Sequence, residues 1–143
     1  MESTLTASIV VAANAEPADR EIIASGIRAF NESRAGPSQA SPLAVLLKDD
    51  DGQTVGGLWG RTSFGWLFVE LLFVPETLRG RRYGVGLLEA AERAAIARNC
   101  HAVWLDTYDF QAVPFYERLG YREFGRLEDY PRGHTRHFLR KDL

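Results

Sequence analysis

A run of arginines and glycines separates a strand-like segment of this chain from a helix-like one. It reads Arg79-Gly80-Arg81-Arg82-Tyr83-Gly84-Val85-Gly86. Its position brings glycines and unpaired backbone N–H groups together at a helix N-terminus. Glycine lets the backbone approach an anion closely, and the helix dipole and arginine charges add favourable potential. The run therefore predicts a phosphate-binding loop.

The common nucleotide motifs do not account for this loop. No third glycine follows Gly86 at the spacing of the dinucleotide fold, and no Gly-Lys-Ser/Thr sequence ends the run. The loop therefore favours neither NAD nor ATP. A flexible basic loop that merely begins a helix is the alternative interpretation of a lone Gly-x-Gly.

Two motifs in order resemble those of the GNAT acetyltransferase superfamily. Arg81-x-x-Gly84-x-Gly86 resembles its pyrophosphate loop, and the preceding Leu72-Phe73-Val74-Pro75 resembles its acyl-CoA strand. A second segment resembles the later signature, a short helix with Phe-Tyr that leads through Gly to an aromatic residue: Ala112-x-x-Phe115-Tyr116-Glu117-Arg118-Leu119-Gly120-Tyr121. The resemblance covers residues 43–143, whereas the first forty residues match only as a strand followed by a helix.

The resemblance implies acetyl-CoA as the co-substrate and assigns its contacts. Backbone groups of Leu72 and Val74 would meet the pantetheine arm, with the Val74 amide polarising the thioester carbonyl. Asp109 stands where many family members carry an Asn that orients this arm. The full set of implied cofactor-binding residues is Leu72, Phe73, Val74, Arg79, Gly80, Arg81, Arg82, Tyr83, Gly84, Val85, Gly86, Asp109 and Phe115.

Tyr116 and Glu70 are the candidate catalytic residues. A phenol with a pKa of about 10 can donate a proton to the leaving thiolate, although a tyrosine on a short helix can also simply pack. Glu70 interrupts an apolar strand and can take the proton of an amine directly or through water. Strict alternation places it on the same side as Leu72 and Val74. A structural ion pair or a solvent-facing carboxylate is an equal alternative for Glu70.

The remaining reactive residues predict neither a metal nor a covalent intermediate. His134 and His137 are three residues apart on a predicted strand and so face opposite ways, and His101 is distant from them. Cys100 is the only cysteine, which excludes an intrachain disulfide and is typical of a reducing cytoplasm. Its neighbours suggest inert burial, so we expect direct acyl transfer.

The final hairpin offers acidic and aromatic side chains. Glu128 and Asp129, together with Tyr130 and His134, could present these groups to a cationic amine. A solvated turn is the alternative.

Periodicity and turn residues predict the elements that position these side chains. Asp51-Gly52 and Gly65 favour hairpin turns, and a strand–helix–strand order around the basic loop implies a right-handed crossover between parallel strands. The predicted strands are Ser8–Ala13, Leu43–Leu47, Thr54–Ser63, Trp66–Val74, His101–Thr107, Tyr121–Leu127 and Thr135–Lys141, and the helices are Ala18–Asn31, Gly84–Arg98 and Val113–Leu119.

We therefore expect an α/β (α+β) fold with a mixed, mostly antiparallel sheet. Its central parallel pair would be splayed at the cofactor site, as the resemblance implies, and three to four helices would flank it. With 143 residues, 45% hydrophobic and 25% charged, a single N-acetyltransferase domain over residues 1–143 is expected. No window approaches the length of a membrane span, so we expect a soluble protein.

Three functions follow from these patterns. The leading one is transfer of an acetyl group from acetyl-CoA to a primary amine by direct attack in a ternary complex, the acceptor being a small amine, an antibiotic-like amine or a protein amino group. The second is a non-catalytic acyl-CoA sensor or partner domain. The third, a nucleic-acid binder built on the basic loop, is disfavoured by a net charge of -2. A homodimer is common in the family that the chain resembles.

Overall fold

The computed structural model describes residues 5–143. The chain divides into two compact units between Pro37 and Ser38. The first unit contains helix α1, Pro17–Ala35. Pro17 suits the first helical position, and the Asp19 carboxylate accepts the N–H of Glu16 at 2.9 Å. No residue of α1 is buried, and its apolar side chains Ile22 and Ile23 are 74% and 72% exposed.

The predicted first strand at Ser8–Ala13 is wrong. Residues 8–12 have no regular structure and a turn follows them. Ile9 and Val11 are fully exposed. A six-residue apolar run becomes a strand only where a neighbouring strand satisfies its backbone groups, and this run has no such partner among the described residues.

The second unit is built on a six-stranded sheet in the order β1-β2-β3-β4-β6-β5. Every neighbouring pair is antiparallel except β3 and β4, which are parallel. This confirms the predicted mixed sheet with a central parallel pair. The strands are β1 Ser41–Lys48, β2 Thr54–Ser63, β3 Trp66–Phe73, β4 Ala102–Tyr108, β5 Arg122–Glu128 and β6 Thr135–Asp142.

Two helices join the strands of this unit. α2, Tyr83–Ala97, connects β3 to β4 after a 3₁₀ turn at Glu76–Leu78, and α3, Val113–Arg118, connects β4 to β5. α2 packs on β1, β2 and β3. Within residues 5–143, no helix has both the length and the apolarity to cross a membrane.

Turn residues set the register of the first two hairpins. The Asp49 carboxylate accepts backbone N–H groups of Asp51 and Gln53, both at 2.9 Å, between β1 and β2. Phe64 and Gly65 have φ angles of 51° and 77° and form a two-residue turn between β2 and β3. Both hairpins therefore lie where the turn residues predicted them.

The core lies where α2 covers one face of the sheet. Burial of such side chains stabilises the fold by about 1.5–3 kcal/mol for each large one. The core also contains a polar cluster. The Tyr121 hydroxyl donates to Glu92 at 3.1 Å, and Lys141 pairs with the same carboxylate. Members of the core are Leu43, Leu58, Leu67, Val69, Leu87, Leu88, Ala91, Ala95, Cys100, Val103, Leu105, Tyr116, Tyr121 and Leu139.

Candidate active site

The parallel strands β3 and β4 separate partway along their length. Their pairing begins at Trp66 with Ala102 and ends at Val69 with Leu105. Beyond that point β3 remains paired to β2, and β4 remains paired to β6. Each strand is thus supported on its outer edge while the inner edges diverge. The resulting gap is the predicted splay at the centre of the sheet.

A β-bulge in β3 lies at the start of this gap. Trp59 of β2 pairs with Leu71, and Gly60 pairs with Val69, so Glu70 is the extra residue. A Cβ built at Gly60 would lie 2.2 Å from the carbonyl oxygen of Phe68, and only glycine permits that approach.

Because of the bulge, the predicted direction of the Glu70 side chain is wrong. Strict alternation placed Glu70 on the side of Leu72 and Val74. In the structure Leu72 and Val74 pack against the core, whereas Glu70 and its neighbour Leu71 are exposed. The extra residue shifts the alternation by one, so Glu70 points away from the core face.

A cavity of about 1000 Å³ occupies the gap and extends to the start of α2. It brings together most of the predicted site residues. Those that line it are Glu70, Leu72, Phe73, Val74, Arg79, Gly80, Arg82, Tyr83, Gly84, Val85, Phe115 and Tyr116. Of the remaining predicted residues, Arg81, Gly86 and Asp109 are not among those that line the cavity.

The first turn of α2 opens on this cavity. Arg82 precedes the helix in the left-handed conformation, with φ of 65°, and no described side chain caps the helix. The Gly86 N–H donates to the Arg82 carbonyl at 3.0 Å and starts the helical hydrogen bonds. The three preceding N–H groups therefore lack intrahelical acceptors, and they belong to cavity residues Tyr83, Gly84 and Val85. This arrangement fits an anionic phosphate.

The two glycines of this turn have different surroundings. A Cβ at Gly84 would lie 3.3 Å from the Phe115 ring, whereas a Cβ at Gly86 would meet no protein atom within 4 Å. Gly84 therefore lets Phe115 approach α2. Gly86 leaves free space beside the helix.

Arg79 connects the loop to the end of β3. Its Nε donates to the carbonyl oxygen of Val74 at 3.0 Å. This bond holds the loop against the strand that forms one wall of the cavity. Sequence patterns gave no sign of this bond.

Tyr116 lies on α3 with only 7% of its surface exposed. Burial, and then the negative charge of Asp106, raise the pKa of Tyr116 to about 12. Its ring packs edge-on against Phe115 and Tyr121, at centroid distances of 5.1 and 5.8 Å. Its hydroxyl has no hydrogen-bond partner in the described part of the chain. A protonated phenol therefore borders the cavity.

Asp106 is a cavity residue that sequence analysis missed. It follows Leu105, the last residue of β4 to pair with β3. Arg136 of β6 donates to its Oδ1 through Nε at 2.8 Å, and Nη2 forms an ion pair with the same oxygen at 2.7 Å. The available signal was a carboxylate directly after the four apolar residues that begin β4.

Asp109 stabilises the final hairpin. Its Oδ2 accepts the Thr135 backbone N–H and its Oδ1 contacts His134 Nδ1, both at 2.9 Å. The Thr135 hydrogen bond is the main cause that lowers the pKa of Asp109. Asp129 accepts the Gly133 N–H at 3.2 Å in the same hairpin. Both carboxylates thus have backbone partners.

The other reactive groups lie apart from the cavity. Cys100 is buried, and burial raises the pKa of its thiol. His137 contacts Glu123 on the neighbouring strand. Among residues 5–143, no group of three His, Cys, Asp or Glu side chains is placed to hold a metal ion.

Comparison with known proteins identifies a family and relatives of this chain. The model of the acetyltransferase (GNAT) family matches residues 14–121. An acetyltransferase of Agrobacterium fabrum is 38% identical over 134 residues, which cover 94% of this chain and 95% of that protein. Blasticidin-S acetyltransferase of Streptomyces morookaense is 40% identical over 109 residues, covering 73% and 80% of the two chains.

Solved structures show the same fold. An acetyltransferase from Agrobacterium tumefaciens superposes with a TM-score of 0.90 and 34% identity, covering 96% of this chain and all of its own. An aminoglycoside 6'-N-acetyltransferase in complex with coenzyme A has a TM-score of 0.62 and 19% identity, covering 71% of this chain and 72% of that one.

Proposed function

This chain belongs to the GNAT family and is an N-acetyltransferase that depends on acetyl-CoA; from that premise we propose that its cavity binds acetyl-CoA and a primary amine together and transfers the acetyl group directly. The observation that carries this proposal is the continuity of the cavity. It runs from the gap between β3 and β4 to the uncapped first turn of α2.

The cavity suits both parts of acetyl-CoA. The pyrophosphate accepts hydrogen bonds from the free amides of Tyr83, Gly84 and Val85, with Arg82 adding positive charge. The pantetheine arm enters the gap, where the inner edge of β3 lacks a strand partner beyond Val69. Arg81 and Gly86 do not line the cavity, and in this proposal they lie next to the phosphates.

The reaction needs one base and one acid. Glu70 takes a proton from the acceptor ammonium, directly or through water, and the neutral nitrogen attacks the thioester carbonyl. A C–N bond forms, and the Val74 amide stabilises the oxyanion. The C–S bond then breaks, Tyr116 protonates the departing thiolate, and the proton that the attacking nitrogen loses restores the Tyr116 phenol, directly or through water. The products are the acetylated amine and CoA.

The burial of Cys100, the only cysteine of the sequence, favours direct transfer. A covalent acetyl-enzyme would require an activated nucleophile close to the thioester. Cys100 is buried outside the residues that line the cavity, and burial raises its thiol pKa. A ternary complex is therefore the favoured route.

We propose a small cationic amine as the acceptor. The relative named for blasticidin S covers 73% of this chain at 40% identity, which makes that compound the first acceptor to test. The carboxylates Glu70 and Asp106 in the cavity are consistent with a positive charge on the acceptor. Protein amino groups are the second class to test.

An acetyl-CoA turnover assay tests this function. Thiol release is measured against a panel that contains blasticidin S, aminoglycosides, simple amines and peptides with free N-termini. Both substrates are varied for the best acceptor. The proposal predicts thiol release with a set of intersecting double-reciprocal lines. Acetyl-CoA binding without turnover on any amine would instead support a sensor, and parallel lines would contradict direct transfer.

A further inference from the structure

Asp106 and Glu70 both line the cavity at the gap between β3 and β4. In the paired part of the sheet, Phe68 and Trp104 stack at 4.1 Å on the face away from the core. Two residues further along each strand are Glu70 and Asp106, and both line the cavity. The two carboxylates thus come from opposite sides of the gap.

Arg136 fixes one oxygen of Asp106 and leaves the other available. Its guanidinium donates a hydrogen bond to Oδ1 through Nε and pairs with it through Nη2, whereas Oδ2 has no hydrogen bond within the described residues. The Asp106 side chain is 15% exposed. Because Asp106 lines the cavity, this oxygen can accept a hydrogen bond from a ligand bound there.

An aromatic cluster holds Arg136 in this position. The guanidinium lies 4.8 Å from the ring centre of Tyr130 and 5.5 Å from those of Tyr108 and Phe138. Such cation–π contacts orient the Arg136 guanidinium and still allow it to pair with Asp106. Tyr130 belongs to the final hairpin, so that hairpin contributes to the site through Arg136.

Tyr116, the proposed proton donor to the CoA thiolate, places the reacting centre in the same cavity as Asp106. Its hydroxyl has no hydrogen-bond partner in the part of the chain that the structure describes, although the residue is 7% exposed and lines the same cavity. The hydroxyl is therefore available to a molecule bound in the cavity. Asp106 and Tyr116 line one cavity.

We propose that Asp106 is the acceptor-binding carboxylate, whose Oδ2 accepts a hydrogen bond from the amine to be acetylated, and that Arg136 is the positioning residue for it. This inference rests on the proposed acetyl transfer and names the group that selects the acceptor. Glu70 removes the proton, and Asp106 holds the nitrogen facing the thioester. The two carboxylates have separate tasks.

The arrangement selects a substrate class. Two carboxylates attract an ammonium group and repel an anion attached next to it. Primary amines without an adjacent carboxylate are therefore the substrates, and the corresponding α-amino acids are poor ones. Tyramine with tyrosine, and cadaverine with lysine, are pairs that differ only by that carboxylate.

Asp106→Asn tests the proposal because it keeps the shape and removes the charge. Calorimetry measures the Kd of the best amine in the presence of CoA, which permits binding without reaction. We expect the amine Kd to rise about tenfold or more, the loss expected for a hydrogen bond to a charged group, while the CoA Kd stays unchanged. An unchanged amine Kd would overturn the proposal, and an equal loss of CoA affinity would assign Asp106 to support of the whole cavity.

Steady-state kinetics add a readout that a structural role would not change. Wild-type protein should prefer each amine over its amino acid in kcat/KM, and Asp106→Asn should reduce that preference. Asp142→Asn is the matched control, because Asp142 also pairs with an arginine of β6 but lies outside the cavity. A preference unchanged in Asp106→Asn would contradict the proposal.

Failure of the proposed acetyl transfer can be distinguished from failure of the proposed role of Asp106. Turnover by wild-type protein with an unaffected Asp106→Asn variant refutes only the role of Asp106. Amine binding that depends on Asp106, in a wild-type protein that releases no thiol, refutes only the proposed transfer.

Discussion

Burial and the charge of Asp106 keep Tyr116 in the protonated form that a proton donor requires, by raising its pKa. A pKa of about 12 keeps the phenol protonated throughout the neutral range. The Tyr116 hydroxyl has no partner among the described residues, so it does not serve merely to satisfy a buried polar group. Tyr116→Phe should therefore lower kcat about 100-fold or more, with little change in CoA affinity or melting temperature.

Kinetics and thermal melting on one preparation of Tyr116→Phe check this prediction. Tyr121→Phe is the control, because its hydroxyl donates to Glu92 in the core. Loss of that bond should lower stability by about 1–3 kcal/mol and leave kcat nearly intact. Near-wild-type turnover in Tyr116→Phe would refute the acid role.

Glu70 is exposed at the bulge, where water and acceptor can both reach it. Glu70→Gln should reduce turnover most strongly at low pH, because most of the amine is then protonated and a base is needed. CoA binding should persist. The pH–rate profile measures this effect against Glu117→Gln, a change at an exposed residue that does not line the cavity. Superimposable profiles for Glu70→Gln and wild type would leave Glu70 without a catalytic role.

The first turn of α2 is the element that should decide cofactor affinity. A Cβ at Gly86 meets no protein atom within 4 Å, so Gly86→Val should fold normally. The added side chain obstructs the approach of the phosphates, and calorimetry should show a sharp loss of CoA affinity. Gly26→Val in α1 is the matched control, since it also adds a side chain in open space on a helix. Unchanged CoA affinity in Gly86→Val would sink the assignment of this loop.

Local patterns predicted the elements of the second unit within a few residues. Alternation, helical periodicity and turn glycines are local properties, and they located the strands from β1 to β6 and helices α2 and α3. The predicted first helix lies within α1, whose bounds are Pro17–Ala35. Ser8–Ala13 was misassigned because its apolar run carries no information about a pairing partner.

Long-range contacts account for what the sequence did not predict at the site. The bulge at Glu70 depends on the approach of Gly60 to the backbone of Phe68 on another strand. The setting of Asp106 depends on Arg136, which is thirty residues later and on β6. Only the register of the sheet brings such residues together.

Both substrates of the proposed reaction meet at one gap in the sheet, between β3 and β4. We expect the cofactor to reach it from the α2 side and the acceptor from the face that carries Phe68 and Trp104. The formal net charge of -2 provides no general attraction for CoA phosphates, so the local amides and arginines must supply it.

A crystal structure of the protein with bound CoA tests the central claim most directly. The account predicts the pyrophosphate at the backbone N–H groups of Gly84 and Val85, the pantetheine arm along β3 beyond Val69, and the sulfur within hydrogen-bond reach of the Tyr116 hydroxyl. CoA bound elsewhere, or with its sulfur remote from Tyr116 and the gap, would contradict the account.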